Sequence, residues 1–273
     1  MIEGAGKILT REIRETVEGF HNRIAPIYHV NDRGDAALFG SSVLLQIGAD
    51  VFIATAKHVI DESTKSSLYL DGPTELEPLE GDFFACPERD VAVLKLNSDQ
   101  VAILEKYRFL QEKYIATNDF ISLAEYSVSV GYPASKTTRR HDKNELESQL
   151  FSYSNTSVEA SNDIVQVPFR KRKNVDALTG AIVMAPTPHG MSGGPMFGVK
   201  IGERAIYGRP EPRLVGIIIE WEKHKQALLA TPISIVLAVV RDAYSIALPQ
   251  MLAQPLIKTH PVPYVTRKSQ LAP

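Results

Sequence analysis

Three short segments carry residue types that together can perform acyl transfer. Gly190-Met191-Ser192-Gly193-Gly194-Pro195 encloses a serine in glycines. A serine hydroxyl is a weak nucleophile near neutral pH and works only beside a base. The tetrahedral intermediate it forms needs N–H donors aimed at one point. Glycine lets the backbone turn so that neighbouring amides share a direction, and the N–H groups of Gly190 and Ser192 are the pair this spacing offers. In Ala54-Thr55-Ala56-Lys57-His58-Val59-Ile60 an apolar run leads through small residues to an imidazole at the rim of a core. In Arg89-Asp90-Val91-Ala92-Val93-Leu94-Lys95-Leu96 a carboxylate heads a strongly apolar strand. A carboxylate there can accept the Nδ1–H of an imidazole and fix its tautomer. Taken singly, each has an ordinary reading: a turn serine, a core histidine, a turn aspartate. Their weight comes from occurring together.

Short β-rich runs bounded by turn residues surround these segments. Leu38–Ile47, Val51–Ala54, Ser67–Leu70, Val91–Leu96 and Ser127–Gly131 read as strands, with Gly48-Ala49-Asp50 a hairpin turn between the first two. Further strands are predicted at Leu150–Val158, Ala181–Ala185, Pro195–Val199, Leu214–Glu220 and Ala227–Ala230. Strands at this spacing indicate a barrel or sandwich and not βαβ units. Thr231 reads as a helix N-cap with Pro232 at the first helical position. Ile233, Val236, Leu237, Val240 and Tyr244 then fall on one helical face, with Pro249 ending the helix. A second amphipathic helix is predicted over residues 5–20. Residues 134–148 and the basic run Arg170-Lys171-Arg172-Lys173 read as solvated loops. The stretch 99–115 reads as a partly helical link between two halves, and residues 255–273 as an extended tail.

In order, Thr-Ala-x-His-Val, Asp-Val-Ala-Val-Leu-Lys-Leu and Gly-x-Ser-Gly-Gly-Pro resemble the chymotrypsin-like (trypsin-like) serine proteases, in a bacterial, disulfide-free style. Gly131-Tyr132-Pro133 resembles that family's lead-in to its second barrel, and Leu214–Ile219 its substrate-pairing strand. The resemblance spans about residues 25–248. It implies an all-β fold of two six-stranded Greek-key barrels. The first barrel, 25–115, would carry His58 and Asp90. The second, 116–248, would carry Ser192 and end in the C-terminal helix. Residues 1–24 would be a helical extension and 249–273 an extended tail. The implied activity is that of a serine endopeptidase, a hydrolase of peptide bonds. Its catalytic triad would be His58, Asp90 and Ser192, its oxyanion hole the amides of Gly190 and Ser192. Pro186, His189, Ile219, Glu220 and Trp221 would touch substrate. No metal or cofactor is required.

The departures from the family are informative. Met191 stands where digestive members carry the Asp that pairs with a newly cut N-terminus, and the Ile-Val-Gly-Gly activation sequence is missing. Activation by that ion pair is not expected. Pro186, not Asp, lies six before the nucleophile, which predicts a small or apolar side chain on the acyl side of the cleaved bond. Glu220 favours a basic substrate group or simply faces solvent.

Two other enzyme classes fit poorly. The segment 190–194 also satisfies the Gly-x-Ser-x-Gly of α/β-hydrolases, but Gly193, Gly194 and Pro195 oppose an immediate helix. A late base from His224 or His260 has no persuasive context. His21, His29, His58, His141, His189, His224 and His260 contain no His-Glu-x-x-His pair, so a zinc peptidase is not expected. The rival of another kind is a catalytically silent module that keeps the barrels and binds peptides or partner proteins.

The formal net charge of −2 lacks the basic excess with which sequence-independent nucleic-acid binders displace counterions. The single cysteine, Cys86, suits a reducing compartment. Neither a signal peptide nor a membrane-spanning run is evident. The expected setting is cytoplasmic, with a polypeptide substrate, a regulatory protein as a possible second partner, and neither nucleic acid nor membrane.

Overall fold

The computed structural model describes residues 18–30, 35–61, 67–71, 76–117, 120, 124–140, 145–172, 174–175, 181–200, 212–248 and 257–262. Most of the expected N-terminal helix, along with Lys173, His141 and all of the tail but 257–262, lies outside them.

The chain is all-β, built on two curled sheets in the manner of the chymotrypsin-like two-barrel class. The first half supplies β1 (Ile24–Val30), β2 (Ala36–Ile47), β3 (Asp50–Ala56), β4 (Ser67–Asp71), β5 (Leu76–Pro78), β6 (Phe83–Cys86), β7 (Val91–Lys95) and β8 (Leu110–Gln111). The second supplies β9 (Tyr126–Gly131), β10 (Thr137–Arg140), β11 (Glu145–Ser148), β12 (Phe151–Asn155), β13 (Glu159–Ala160), β14 (Val165–Pro168), β15 (Asn174–Val175) and β16 (Ile182–Val183). It continues through β17 (Pro195–Val199), β18 (Pro212–Glu222) and β19 (Ala227–Pro232). A last strand, β20 (His260–Val262), returns to the first sheet.

That first sheet runs β20-β6-β7-β3-β2-β1-β4-β5, with β8 beside β2, giving nine strands among the described residues. The second runs β12-β9-β17-β18-β19-β14-β13 and has seven. Two small ribbons, β10–β11 and β15–β16, stand outside both. Gly48 takes φ +59 in the turn that joins β2 to β3, a conformation glycine adopts without strain.

The continuous apolar runs of β2, β3 and β7 follow from burial on both faces. Successive side chains of a strand point to opposite sides. In β7, Val91 and Val93 join the core shared with the second sheet, while Ala92 and Leu94 enter the first sheet's own interior. Val43 and Leu45 divide from Leu44 in the same way.

Helix α1 (Lys57–Asp61) follows β3, α2 (Ser98–Ile103) follows β7, and α3 (Ile233–Tyr244) follows β19. An Asn97–Gln100 capping box starts α2. Helix α3 appears where its apolar period predicts, but its start differs. Pro232 itself is the cap residue, without a side-chain bond. Thr231 stays in β19, and its hydroxyl donates to the carbonyl of Arg89 in the first half. The helix ends at Tyr244, with Ser245 in the left-handed region, short of Pro249. Tyr244 accepts from the Lys95 N–H at 3.1 Å and donates toward the Val93 carbonyl, so α3 locks onto β7. Among the described residues no helix is long and apolar enough to cross a membrane.

Candidate active site

His58 is the second residue of α1, which caps the end of β3. Asp90 sits where a short 3-10 turn, Pro87–Arg89, meets β7, and takes φ +49. That left-handed conformation is uncommon outside glycine and is tolerated best by Asn and Asp. It turns the Asp90 backbone and side chain toward α1 together. The Asp90 carbonyl accepts the Lys57 N–H at 3.0 Å. Carboxylate oxygen Oδ1 accepts the His58 N–H at 2.9 Å, and Oδ2 lies 2.7 Å from His58 Nδ1. A carboxylate only accepts, so Nδ1 carries the proton and Nε2 is left with its lone pair outward. The His58 side chain is 46% exposed, so the ring is open to solvent and not sealed in the core.

Asp90 is itself held from the other half. Thr231, 1% exposed, donates to the preceding carbonyl, that of Arg89. The Arg89 guanidinium pairs with Asp163.

Ser192 reaches the same region through β2. The Ser41 N–H donates to the Ser192 carbonyl at 2.8 Å. A Cβ added at Gly40 would lie 2.8 Å from the Val59 side chain and 3.3 Å from the Ser192 carbonyl. Ser192 and the residue after His58 therefore flank one glycine. The Ser192 hydroxyl donates to the Ile219 carbonyl at 3.5 Å, a long bond. No hydrogen bond joins it to His58 among the described residues.

The segment before Ser192 is pinned one carbonyl at a time. His189 O accepts from Ala134 N–H at 2.8 Å, and Gly190 O from the Ser41 hydroxyl at 2.9 Å. Met191 O accepts from Gly194 N–H at 2.9 Å. In a trans peptide the N–H points opposite to the C=O it shares a plane with. The Gly190 N–H therefore turns away from Ala134, and the Ser192 N–H away from Gly194. Neither finds an acceptor among the described residues. The amides between and after them are used: Met191 N–H on Pro188 O at 2.8 Å and Gly193 N–H on Ile218 O at 2.7 Å. The amides of Gly190 and Ser192 are thus the two donors of this segment left unspent among the described residues.

At Gly193 the turn before β17 lies directly against β2 and β3 of the first sheet. It takes φ +90, and an added Cβ would lie 1.9 Å from Ser41 O and 2.2 Å from Thr55 Oγ1. Thr55 already donates to Ser41 O at 2.8 Å and has nowhere to move. Gly193→Ala is expected to cost about 4 kcal/mol or more of stability, read as a lowered urea midpoint.

The residues expected to touch substrate lie on two segments, the one before Ser192 and strand β18. Pro186 is half-buried and His189 exposed on the segment leading to Ser192. Ile219 is the extra residue of a bulge in β18, between the pairs Ile218–Ala230 and Glu220–Leu229. The bulge frees its carbonyl to face Ser192. Glu220 is exposed, and Trp221 is half-buried against Phe169, ring centroids 5.9 Å apart. Sequence reasoning missed Ser41, Thr55 and Thr231. All three are buried hydroxyls that bind backbone, Ser41 and Thr231 across long stretches of chain and Thr55 across the β2–β3 hairpin.

No family model and no curated protein matches this sequence. Solved structures do. One was determined in a study of coupled folding and binding of the intrinsically disordered Sesbania mosaic virus VPg protein. It is 13% identical at a TM-score of 0.45, covering 83% of this chain and 97% of that one. A Glu endopeptidase in complex with MPD is 14% identical at 0.43, covering 83% and 92%. Both superpositions are loose. The fold assignment accordingly rests on this chain's own strand order and register.

Proposed function

We propose that the protein is a serine endopeptidase acting through His58, Asp90 and Ser192. The observation that carries this reading is the double grip of one carboxylate on the backbone and imidazole of His58, which leaves Nε2 as the free base. In the proposed cycle Ser192 Oγ attacks a peptide carbonyl carbon and its proton passes to His58 Nε2. The oxyanion takes the Gly190 and Ser192 amides. The C–N bond breaks, and His58 returns the proton to the leaving amine. Water, deprotonated by His58, then hydrolyses the ester and restores the hydroxyl. Asp90 stabilises the imidazolium throughout without itself becoming protonated. Cys86 is no competing nucleophile, because burial pushes its thiol pKa up from the ordinary value. Its buried free thiol suits a reducing, cytoplasmic setting.

One observation favours a second reading. The Ser192 hydroxyl bonds Ile219 and not His58, as a silent peptide-binding module would allow. A fluorophosphonate probe separates the two. Stoichiometric labelling that disappears in Ser192→Ala supports the protease. Unlabelled protein that still binds peptides supports the module.

A further inference from the structure

The segment before Ser192 and strand β18 are joined by one short stretch of chain. Phe169 packs against Trp221 of β18, and its N–H donates to Gln226 O at 2.6 Å. Two residues on, the Lys171 carbonyl accepts the Ala185 N–H at 3.0 Å, and Lys171 Nζ donates to Thr187 Oγ1 at 2.9 Å. Residues 169–171 therefore bridge the segment before Ser192 to the β18–β19 hairpin. Lys171 and Thr187 are both half-buried.

The charge on Lys171 is uncompensated among the described residues. Lys171 has no carboxylate partner among the described residues. Its ammonium has three N–H groups, one of which is spent on Thr187. Because Thr187 Oγ1 accepts that bond, its own O–H remains available to donate. The Trp221 indole N–H, on β18, is buried and also lacks an acceptor. The neighbouring charges are mostly positive: Arg170 and Arg172 flank Lys171 in sequence, and Lys223 sits over the Trp221 ring at 5.3 Å. Of the nearby acids, Glu222 pairs with Lys225, and Glu220 is exposed. Such a cluster offers donors and positive charge, and it leaves a basic or purely apolar side chain without complementary contacts.

We infer that Lys171 and Thr187 form a carboxylate-binding subsite, so that the cleft selects an acidic residue, glutamate or aspartate, on the acyl side of the scissile bond. This assignment rests on the proposed cleft around Ser192. It differs from the small or apolar preference that Pro186 suggests in the sequence, because Lys171 brings an ammonium against Thr187, the residue after Pro186.

The test uses the full-length Ser192→Ala protein and fluorescein-labelled peptides identical except for Glu, Gln, Leu or Lys at the selected position. Binding is followed by anisotropy. The Glu peptide is expected to bind at least about 10-fold more tightly than its Gln twin, the scale of one charge-assisted hydrogen bond. Lys171→Met should bring that ratio near one, and Lys171→Glu should turn it in favour of the Lys peptide. Thr187→Val, which keeps the ammonium and removes its hydroxyl partner, should lower the ratio partially and so covers the case in which Lys171 variants fold poorly. Equal or tighter binding of Gln, Leu or Lys peptides overturns the assignment. So does a Glu preference that survives Lys171→Met, or failure to bind any of the four. A wild-type protein that binds the Glu peptide selectively but leaves it intact upholds the subsite and defeats the protease reading, which keeps the two failures apart.

Discussion

Replacing His58 with alanine is expected to lower turnover of a cleavable peptide by about 10⁶-fold, with the fold intact. The size follows from the chemistry, since a serine hydroxyl without its base loses both the proton acceptor in acylation and the proton donor to the leaving amine. The fold should survive because the His58 side chain is 46% exposed and only its ring meets Asp90. The backbone bond from His58 N–H to Asp90 Oδ1 remains in the variant. The measurement is kcat by single-turnover kinetics, set against the urea midpoint of the same preparation. Residual catalysis, about 10³ to 10⁴ over water, should persist from the amides of Gly190 and Ser192. A variant retaining a tenth of normal turnover would remove His58 from the reaction.

Asp90→Asn is expected to cost about 10⁴-fold in kcat. An amide in place of the carboxylate can still accept the His58 N–H through its oxygen. It then presents an NH₂ to Nδ1, which must become the acceptor. The proton moves to Nε2, and the lone pair needed by Ser192 is lost. Geometry should change little, because the Asp90 turn is also held by Lys57 N–H on its carbonyl and by Thr231 on Arg89. Asparagine moreover tolerates the left-handed conformation at φ +49. The informative readout is the separation of kcat from stability: turnover collapses while the denaturant midpoint moves by less than about 1 kcal/mol. Near-normal turnover would sink the orienting role of Asp90.

How far this site was legible depended on the range of each interaction. His58, Asp90 and Ser192 stand out because each lies in a segment whose local composition suits its proposed role: small residues before the imidazole, an apolar strand behind the carboxylate, glycines around the hydroxyl. The hydroxyls that hold these segments do not. Ser41 reaches Gly190 across 149 residues and Thr231 reaches Arg89 across 142, and a serine or threonine in a strand has no sequence mark of its distant partner. Thr231 reads as a helix cap for that reason, since the pattern Thr-Pro before an apolar period is the same whichever way its hydroxyl turns.

The elements follow a similar rule. Strands buried on both faces, such as β7 and β17, appear within a residue or so of their predicted spans. The charged stretch 134–148 reads as a solvated loop, yet it contains the ribbon β10–β11, with Thr138 opposite Glu147 and Arg139 opposite Leu146. A two-stranded ribbon apart from the main sheets buries little, so its sequence need not alternate apolar and polar residues. β20 was hidden differently. It contains Pro261, which reads as a breaker, but it lies at the sheet margin, where an absent N–H costs no ladder bond.

The route of the chain's last described segments has a consequence for how the molecule is made. Thr231, which holds the Asp90 turn, and α3, whose Tyr244 hydroxyl fastens β7, are encoded late, and β20 completes the first sheet later still. On a ribosome, His58 and Asp90 emerge long before any of these. The half of the molecule that bears the imidazole therefore stays unbraced until residues 231–262 have been made, so the proposed triad cannot be fully held while the segments between Asp90 and Thr231 are still unfolded.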